Sequence, residues 1–252
     1  MPSSSATATA TYVYGVVKAK ERAEQGPAIG GEPVEVVAHE GVAALVSRVP
    51  GEELEAGREE LLTHSRVLEE ALRQGAVLPM KFGVVMPSDE VVRSDLLEAH
   101  HDELLRQLGE LEGKVELNVK GIYDEAAVIR EIVAEQPEIA QLRAAIAGKP
   151  EDATYPERIR LGELVAQALE AKRAHDEEAI VSRLSPHAIG VDVGPPVHER
   201  MAVNGSFLVA ENTVEEFDAE LERVATENAE RIRFKETGPL PPHSFVELSV
   251  EG

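Results

Sequence analysis

The chain has 252 residues, of which 43% are hydrophobic and 29% are charged, so it is long enough for one or two domains with real cores. It contains no cysteine, which excludes disulfides, thiol nucleophiles and cysteine-ligated zinc or iron–sulfur sites. Its 47 acidic and 25 basic residues give a formal net charge of −22, which argues against a nucleic-acid partner.

The N-terminal segment 1–11 is rich in serine and alanine and has neither a basic start nor an apolar stretch. We therefore expect a disordered tail here rather than a signal peptide. No apolar run in the chain approaches the roughly 18 residues that cross a bilayer. The sequence thus predicts no membrane contact and, by default, a cytoplasmic location.

Residues 12–112 predict a first domain of strands and helices. Three β-rich apolar segments predict strands, of which the last two form a hairpin around His39-Glu40-Gly41: 12–18, 34–38 and 42–46. Four residues at helical spacing predict a helix over 58–74, namely Leu61, Ser65, Leu68 and Leu72. A short strand is expected at 77–82, and a helix capped by Ser88 is expected to end at Gly113.

Residues 113–252 predict a second domain with the element order β-αα-β-β-α-β. The expected elements are a strand at 114–123, helices at about 125–147 and 157–184, strands near 187–193 and 200–210, a helix at 213–229 and a closing strand pair. Pro137 interrupts the first of these helices, because proline inside a helix costs roughly 3 kcal/mol. Asn204-Gly205 fits either a hairpin turn or the interior of a strand.

This order of elements predicts an α+β protein with two domains. A split β-α-β order is typical of the ferredoxin-like arrangement, in which helices cover one face of an antiparallel sheet. We expect an N-terminal ferredoxin-like domain at 12–112 and a C-terminal ferredoxin-like variant at 113–252. The second domain would carry an inserted helical hairpin at about 125–184.

No catalytic, metal or cofactor motif is complete in the sequence. Glu98 and His101 have the spacing of half a di-iron site, but such a site needs two Glu-x-x-His copies, so we favour a solvated helix surface. The glycine-rich stretch 26–31 lacks the ending of a phosphate-binding loop. No Gly-x-Ser-x-Gly elbow singles out a nucleophilic serine. We therefore expect no enzyme activity, no metal and no cofactor.

Two segments are candidates for binding a partner. The run Thr237-Gly238-Pro239-Leu240-Pro241-Pro242-His243-Ser244-Phe245 predicts a stiff connection between two strands, because proline fixes φ and lacks an amide donor. Its three prolines are expected to stay outside any β-ladder. The other segment is Leu78-Pro79-Met80-Lys81-Phe82-Gly83, in which Phe82 could serve either the core or a partner pocket.

The closing segment resembles the signature of the gas vesicle accessory proteins of the GvpL/GvpF family, usually Thr-Gly-Pro-Trp-Pro-Pro-Tyr-Ser-Phe. Leu240 stands at the Trp position and His243 at the Tyr position. The resemblance spans roughly residues 11 to 249. Four further segments appear in the family's order: Tyr12-Val13-Tyr14-Gly15-Val16, Val77-Leu78-Pro79-Met80-Lys81-Phe82-Gly83-Val84-Val85, Lys114-Val115-Glu116-Leu117-Asn118-Val119-Lys120 and Asn204-Gly205-Ser206-Phe207-Leu208-Val209.

The resemblance implies a non-enzymatic accessory protein that binds the small hydrophobic shell protein, and other accessory proteins, during gas vesicle assembly. A soluble acidic protein could cover the apolar surface of such a shell subunit. Our partner-binding candidates are Phe82, Gly238, Pro239, Leu240, Pro241, Pro242, His243 and Phe245. The alternative is a regulatory protein that binds a small molecule, since ferredoxin-like sheets often host ligands and fold does not determine function.

Overall fold

The computed structural model describes residues 9–19, 28–31, 33–51 and 57–247, which form helices and two β-sheets. The chain divides into two compact units. The first unit contains the described residues up to Glu116, Ala210–Asn212 and the described residues from Gly238 onward; the second contains Leu117–Val209 and Thr213–Thr237. The boundary near residue 112 stays a prediction, because compact units are not by themselves independent domains.

The first sheet has the strand order β2-β3-β1-β4, with β5 also paired to β1. Its strands are β1 (Thr9–Lys18), β2 (Glu35–His39), β3 (Val42–Pro50), β4 (Val77–Pro79) and β5 (Val85–Met86). The predicted hairpin is confirmed, and its turn residues Glu40 and Gly41 have φ of 35° and 96°. Residues 9–11, which we expected in the tail, lie in β1, and residues 1–8 fall outside the described residues.

The helices of the first unit are α1 (Arg58–Gln74), α2 (Asp89–Val91) and α3 (His101–Glu110). The predicted stripe on α1 is wrong in part, because Leu61 and Ser65 are exposed while the buried face consists of Thr63, His64, Val67, Leu68, Ala71 and Leu72. Ser88 caps α2 as predicted, with the Val91 amide donating to its hydroxyl at 3.3 Å. The single predicted helix is interrupted, since α2 continues as a π-helix, Val92–Glu98, that ends before α3.

The second sheet has the order β7-β8-β6-β9. Its strands are β6 (Lys114–Tyr123), β7 (Gly190–Val193), β8 (Met201–Ala210) and β9 (Ile232–Leu240). Counted within each sheet, both sheets therefore follow the same order, 2-3-1-4. Asn204 and Gly205 lie inside β8, so the strand alternative is confirmed for them. In the second unit, Phe207 of β8 packs on Phe217 with ring centroids 5.1 Å apart.

Four helices belong to the second unit: α4 (Glu125–Glu135), α5 (Pro137–Ile146), α6 (Tyr155–Leu184) and α7 (Val214–Glu227). The break predicted at Pro137 is confirmed, because this residue begins α5, where its missing amide donor costs no helical hydrogen bond. Apolar residues of α4, α5, α6 and α7 pack with those of the sheet strands in one core. Within the described ranges, no helix combines the length and apolarity needed to cross a bilayer.

The closing segment differs from the predicted strand pair. Strand β9 runs on to Leu240 and includes Pro239, so the expectation that all three prolines stay outside a ladder is wrong for this residue. Pro239 is tolerated because β9 is an edge strand of its sheet. The following residues form a 3-10 turn at His243–Phe245, and no strand occurs in 241–247. The prediction of a second closing strand is therefore wrong for these residues, and residues 248–252 fall outside the described part of the chain.

Candidate partner-binding site

The candidate site is built around His64, on the buried face of α1. The Tyr12 hydroxyl lies 2.8 Å from His64 Nδ1, and Nε2 lies 3.2 Å from the Met80 carbonyl oxygen. Because a carbonyl only accepts, Nε2 carries the proton and the Tyr12 hydroxyl donates to Nδ1. Burial lowers the pKa of His64 to about 4, with a further contribution from His243, so the ring is neutral near pH 7.

Phe82 lies in the loop after β4 that these hydrogen bonds hold in place. The Gly83 amide donates to the Tyr12 hydroxyl at 3.3 Å. The Phe82 ring centroid lies 6.0 Å from that of Tyr12 and 5.7 Å from that of His64. The side chain of Phe82 is half-buried, so it packs on the core while part of its ring is exposed.

Two side chains of the first unit fix the end of the closing segment. Ser244 donates from its amide and its hydroxyl to the carboxylate of Glu116, at 2.8 and 2.9 Å. Glu116 is only 2% exposed, so these charge-assisted bonds stabilise a carboxylate that has lost most of its contact with water. Gln107 bonds the main chain of Glu247, accepting from its amide at 3.2 Å and donating to its carbonyl at 3.4 Å.

All eight predicted partner-binding residues belong to the first unit. Gly238, Pro239 and His243 are exposed, Leu240 and Phe245 are half-buried, and Pro241 and Pro242 are buried. The Phe82 ring packs on that of His64, and His243 contributes to the lowered pKa of His64, whereas Gly238, Pro239 and Leu240 form the end of β9. Together these residues offer mainly apolar surface, and His243 is the one titratable group among the eight.

Three residues of this site, His64, Tyr12 and Glu116, were not predicted from the sequence. His64 was not predicted because the expected stripe of the helix contained Ser65 as its polar member. His64 nevertheless lies one turn before Leu68, on the face that is buried. Tyr12 and Glu116 lie in the predicted strands 12–18 and 114–123, which gave neither residue a role in the site. Their roles depend on partners 52 and 128 positions away, which no local pattern indicates.

Glu98 and His101 do not share the face of one continuous helix, since the π-helix ends at Glu98 and α3 begins at His101. His101 donates from Nε2 to the Glu40 carbonyl at 2.9 Å, and this bond, followed by one to Asp102, raises the pKa of His101. Among the residues that the structure describes, no group of three or more possible ligands could hold a metal ion.

A charged cluster lies in the core of the second unit. The Tyr123 hydroxyl donates to Asp176 Oδ2 at 2.6 Å, and Arg231 donates to both oxygens of Asp176 at 3.0 and 2.5 Å. Arg231 also donates to Glu131 at 3.0 Å, and Lys172 lies 2.9 Å from the same carboxylate. Burial works to lower the pKa of Arg231, but the bond to Asp176 and the two carboxylate charges raise it. The charges are paired, which indicates a structural role.

A cleft of about 920 Å³ opens in the same unit, beside α4 and α6. Its lining is apolar at Val128, Ile129 and Leu169, and charged at Arg173 and Glu170. Arg173 donates to the carbonyls of Glu199 and Met201, at 2.8 and 2.9 Å. The small-molecule alternative could use this cleft.

The chain matches known proteins over nearly its whole length. The family model "Gas vesicle synthesis protein GvpL/GvpF" matches residues 10–247. Gas vesicle protein F of Streptomyces sp. (strain CB03234) is 38% identical over 245 residues, covering 94% of this chain and 99% of that relative. Gas vesicle protein L of the same strain is 27% identical, covering 95% and 94%. The crystal structure of GvpF from Anabaena sp. PCC7120 is 25% identical, with a TM-score of 0.81 and coverage of 96% and 100%.

Proposed function

Because this chain belongs to the GvpL/GvpF family of gas vesicle synthesis proteins, we propose that it is a non-enzymatic accessory protein that binds the shell protein and supports vesicle assembly. It acts in the cytoplasm and at the gas vesicle, together with other accessory proteins and without a cofactor. The surface around Phe82 and the closing segment is the site of this binding.

One observation carries the proposal: the half-buried Phe82 packs on the buried ring of His64, and His243 of the closing segment contributes to the lowered pKa of the same ring. Their surroundings are apolar and aromatic, and the groups beneath them are held in hydrogen bonds rather than left free to react. A subunit that exposes apolar surface before assembly would bury it against such a site. The net charge of −22 would keep the escorted complex soluble.

We also propose that each unit is a ferredoxin-like variant. The shared strand order 2-3-1-4 supports this, since it is the order of a split β-α-β arrangement. In the second unit, α4 to α6 stand between the first two strands of the sheet and would form the inserted helical hairpin.

Reciprocal pull-downs from cells that express a gas vesicle gene cluster test the binding. We expect the tagged protein to recover the shell protein, and His243→Ala with Leu240→Ala to reduce that recovery severalfold. The matched control is Ile159→Ala, which removes an apolar side chain that is 48% exposed on α6 of the second unit.

Recovery of no gas vesicle protein by a folded, abundant wild-type chain would refute the proposed binding. Equal losses for the double variant and for Ile159→Ala would leave binding intact but contradict its location. Thermal melting of each variant separates loss of the surface from loss of the fold.

A further inference from the structure

Strand β7 forms an edge of the second sheet, and three exposed apolar side chains lie on it or directly before it. Ile189 is 55% exposed, Val191 36% and Val193 39%. Val191 stands opposite Phe207 and Val193 opposite Gly205, so these valines point to the same face of the sheet as the core residue Phe207. Ile189 lies just before β7, and its amide donates to the Leu208 carbonyl at 2.7 Å. An apolar row therefore extends from the core to the rim of the sheet.

The backbone of β7 offers hydrogen bonds along the same edge. Gly194 donates to the Asn204 carbonyl at 2.9 Å, in the same antiparallel register that pairs Val193 with Gly205. Hydrogen-bonded and non-bonded pairs alternate in an antiparallel ladder, so the amides and carbonyls of Val191 and Val193 point away from β8. Within the described residues, the only strand that pairs with β7 is β8. At Val191 and Val193, backbone groups that point away from β8 and exposed apolar side chains therefore lie along the same edge.

Two other edge strands, β9 and β2, are protected against pairing with another chain. Strand β9, the opposite edge of the same sheet, exposes Arg233, Lys235 and Glu236 and contains Pro239. Charged side chains and proline are the usual means by which an edge strand avoids pairing with another chain. Strand β2 has its Ala38 carbonyl covered by Arg93, which donates to it at 3.4 Å. By contrast, β7 carries one charge, Asp192, and its open edge ends at Pro195 and Pro196.

We propose that β7 binds an extended segment of a partner by strand addition, and that this segment is apolar at alternate positions with lysine or arginine between them. Its apolar residues pair with Val191 and Val193, and its basic residue stands opposite Asp192. Asp192 is exposed and forms no ion pair with any residue in the described ranges, so it remains open to a cation from outside. A basic segment also suits a chain with a net charge of −22.

A second copy of this chain fits the edge less well. Two β7 strands paired antiparallel about their centres would set Asp192 directly opposite Asp192 of the other copy, and like charges at such positions are destabilising. The two chains would also bring together two net charges of −22. Binding of such a segment at the second unit does not depend on the function proposed for the first unit.

The probe is a fluorescein-labelled peptide, Lys-Val-Lys-Val-Lys-Val-Lys, titrated with the full chain and followed by fluorescence anisotropy. The wild type should bind it saturably, and Val193→Pro should weaken binding about tenfold, because it removes an outward amide donor but no charge. Val191→Lys should weaken binding as strongly. Its matched control, Val36→Lys, adds the same charge to the exposed valine of β2 and should leave binding within about twofold of the wild type.

Two further arms test the mode of binding. A peptide of the same sequence with all backbone amides methylated should not bind, and Asp192→Lys should switch the preference to a peptide with glutamate in place of lysine. Equal binding of the methylated peptide, or equal effects of Val191→Lys and Val36→Lys, would overturn the proposal. If Val193→Pro fails to melt cooperatively, Val191→Lys and Asp192→Lys decide the outcome.

Discussion

Each unit buries a tyrosine from the first strand of its sheet and bonds it to a helix, but the bonding partners differ in charge. In the first unit, Tyr12 donates to the neutral ring of His64 on α1. In the second, Tyr123 donates to the carboxylate of Asp176 on α6, which Arg231 neutralises. Burial raises the pKa of both phenols, so both remain donors near pH 7.

This difference in charge predicts that the two units lose stability under different changes. A neutral hydrogen-bonded pair loses stability when the pH change charges one member. A buried ion pair instead loses stability when a substitution leaves one charge without its partner. The first unit should therefore respond mainly to pH, and the second mainly to the removal of a single charged side chain.

The largest effect is expected from Arg231→Met, which leaves Asp176 buried without its guanidinium. We expect it to lower the free energy of unfolding of the second unit by about 3–5 kcal/mol. Asp176→Leu combined with Arg231→Met should recover most of that loss, because no buried charge is left unpaired. Urea unfolding of the single and double variants measures both values.

Arg106→Met is the matched control, since Arg106 pairs with Glu103 and Glu110 on the exposed surface of α3. This variant should unfold like the wild type. If Arg231→Met and Arg106→Met cost the same, the charged cluster has no structural role and the comparison of the units fails.

The second prediction concerns pH and the first unit. The pKa of His64 falls from about 6.5 in the unfolded chain to about 4 in the folded one, so the unfolded state binds the extra proton. The contribution of His64 to stability is full above pH 6.5 and is lost as the pH falls towards 4, by up to about 3 kcal/mol. Urea unfolding at several pH values, compared with His64→Gln, isolates this contribution. Parallel pH curves for the two proteins would contradict it.

The third prediction compares glycines in the first strand of each sheet. A Cβ atom on Gly15 would lie 2.7 Å from the Leu78 carbonyl oxygen, which belongs to the backbone and cannot turn aside. On Gly121 the nearest atom is a methyl carbon of Val203, 2.9 Å away, which can shift. We expect Gly15→Ala to cost about 1–3 kcal/mol and Gly121→Ala less. Thermal melting of both variants measures the two losses of stability. A larger loss for Gly121→Ala than for Gly15→Ala would contradict this explanation.

The smallest effect is expected at the buried carboxylate of the first unit. Ser244→Ala removes one of two bonds from Ser244 to Glu116 and keeps the amide donor at 2.8 Å. The expected loss is about 1 kcal/mol, typical of one hydrogen bond. Ser206→Ala offers a comparison in the second unit, where a hydroxyl donates to neutral Asn118 at 2.6 Å and the loss should be smaller. Unfolding in urea ranks the two variants.

Local signals in the sequence predicted much of the fold. Pro137 and Ser88 fixed the start of two helices, because one lacks an amide donor and the other supplies a cap. Which face of α1 is buried could not be predicted in this way. Thr63 and His64 are buried there while Leu61 is exposed, because Tyr12 and Met80 offer His64 its hydrogen bonds.

The candidate site was predictable only in part. Phe82 and the proline-rich closing segment could be selected from the sequence, yet the strand expected after Pro242 does not form within the described residues. Ser244 lies in a 3-10 turn instead and donates to the carboxylate of Glu116, which lies 128 positions earlier in the chain. The apolar row of β7 could not be predicted either, since Val191 and Val193 look like ordinary strand residues until the sheet order is known.

The return of the closing segment to the first unit sets a delay during protein synthesis. Glu116 leaves the ribosome long before Ser244, and at about 5–20 residues per second the interval is on the order of 10 s. During that interval the first unit lacks the residues that complete its candidate binding surface. Nascent chains that stall before Phe245 therefore cannot display this surface, and only chains translated past that residue can compete for a partner there.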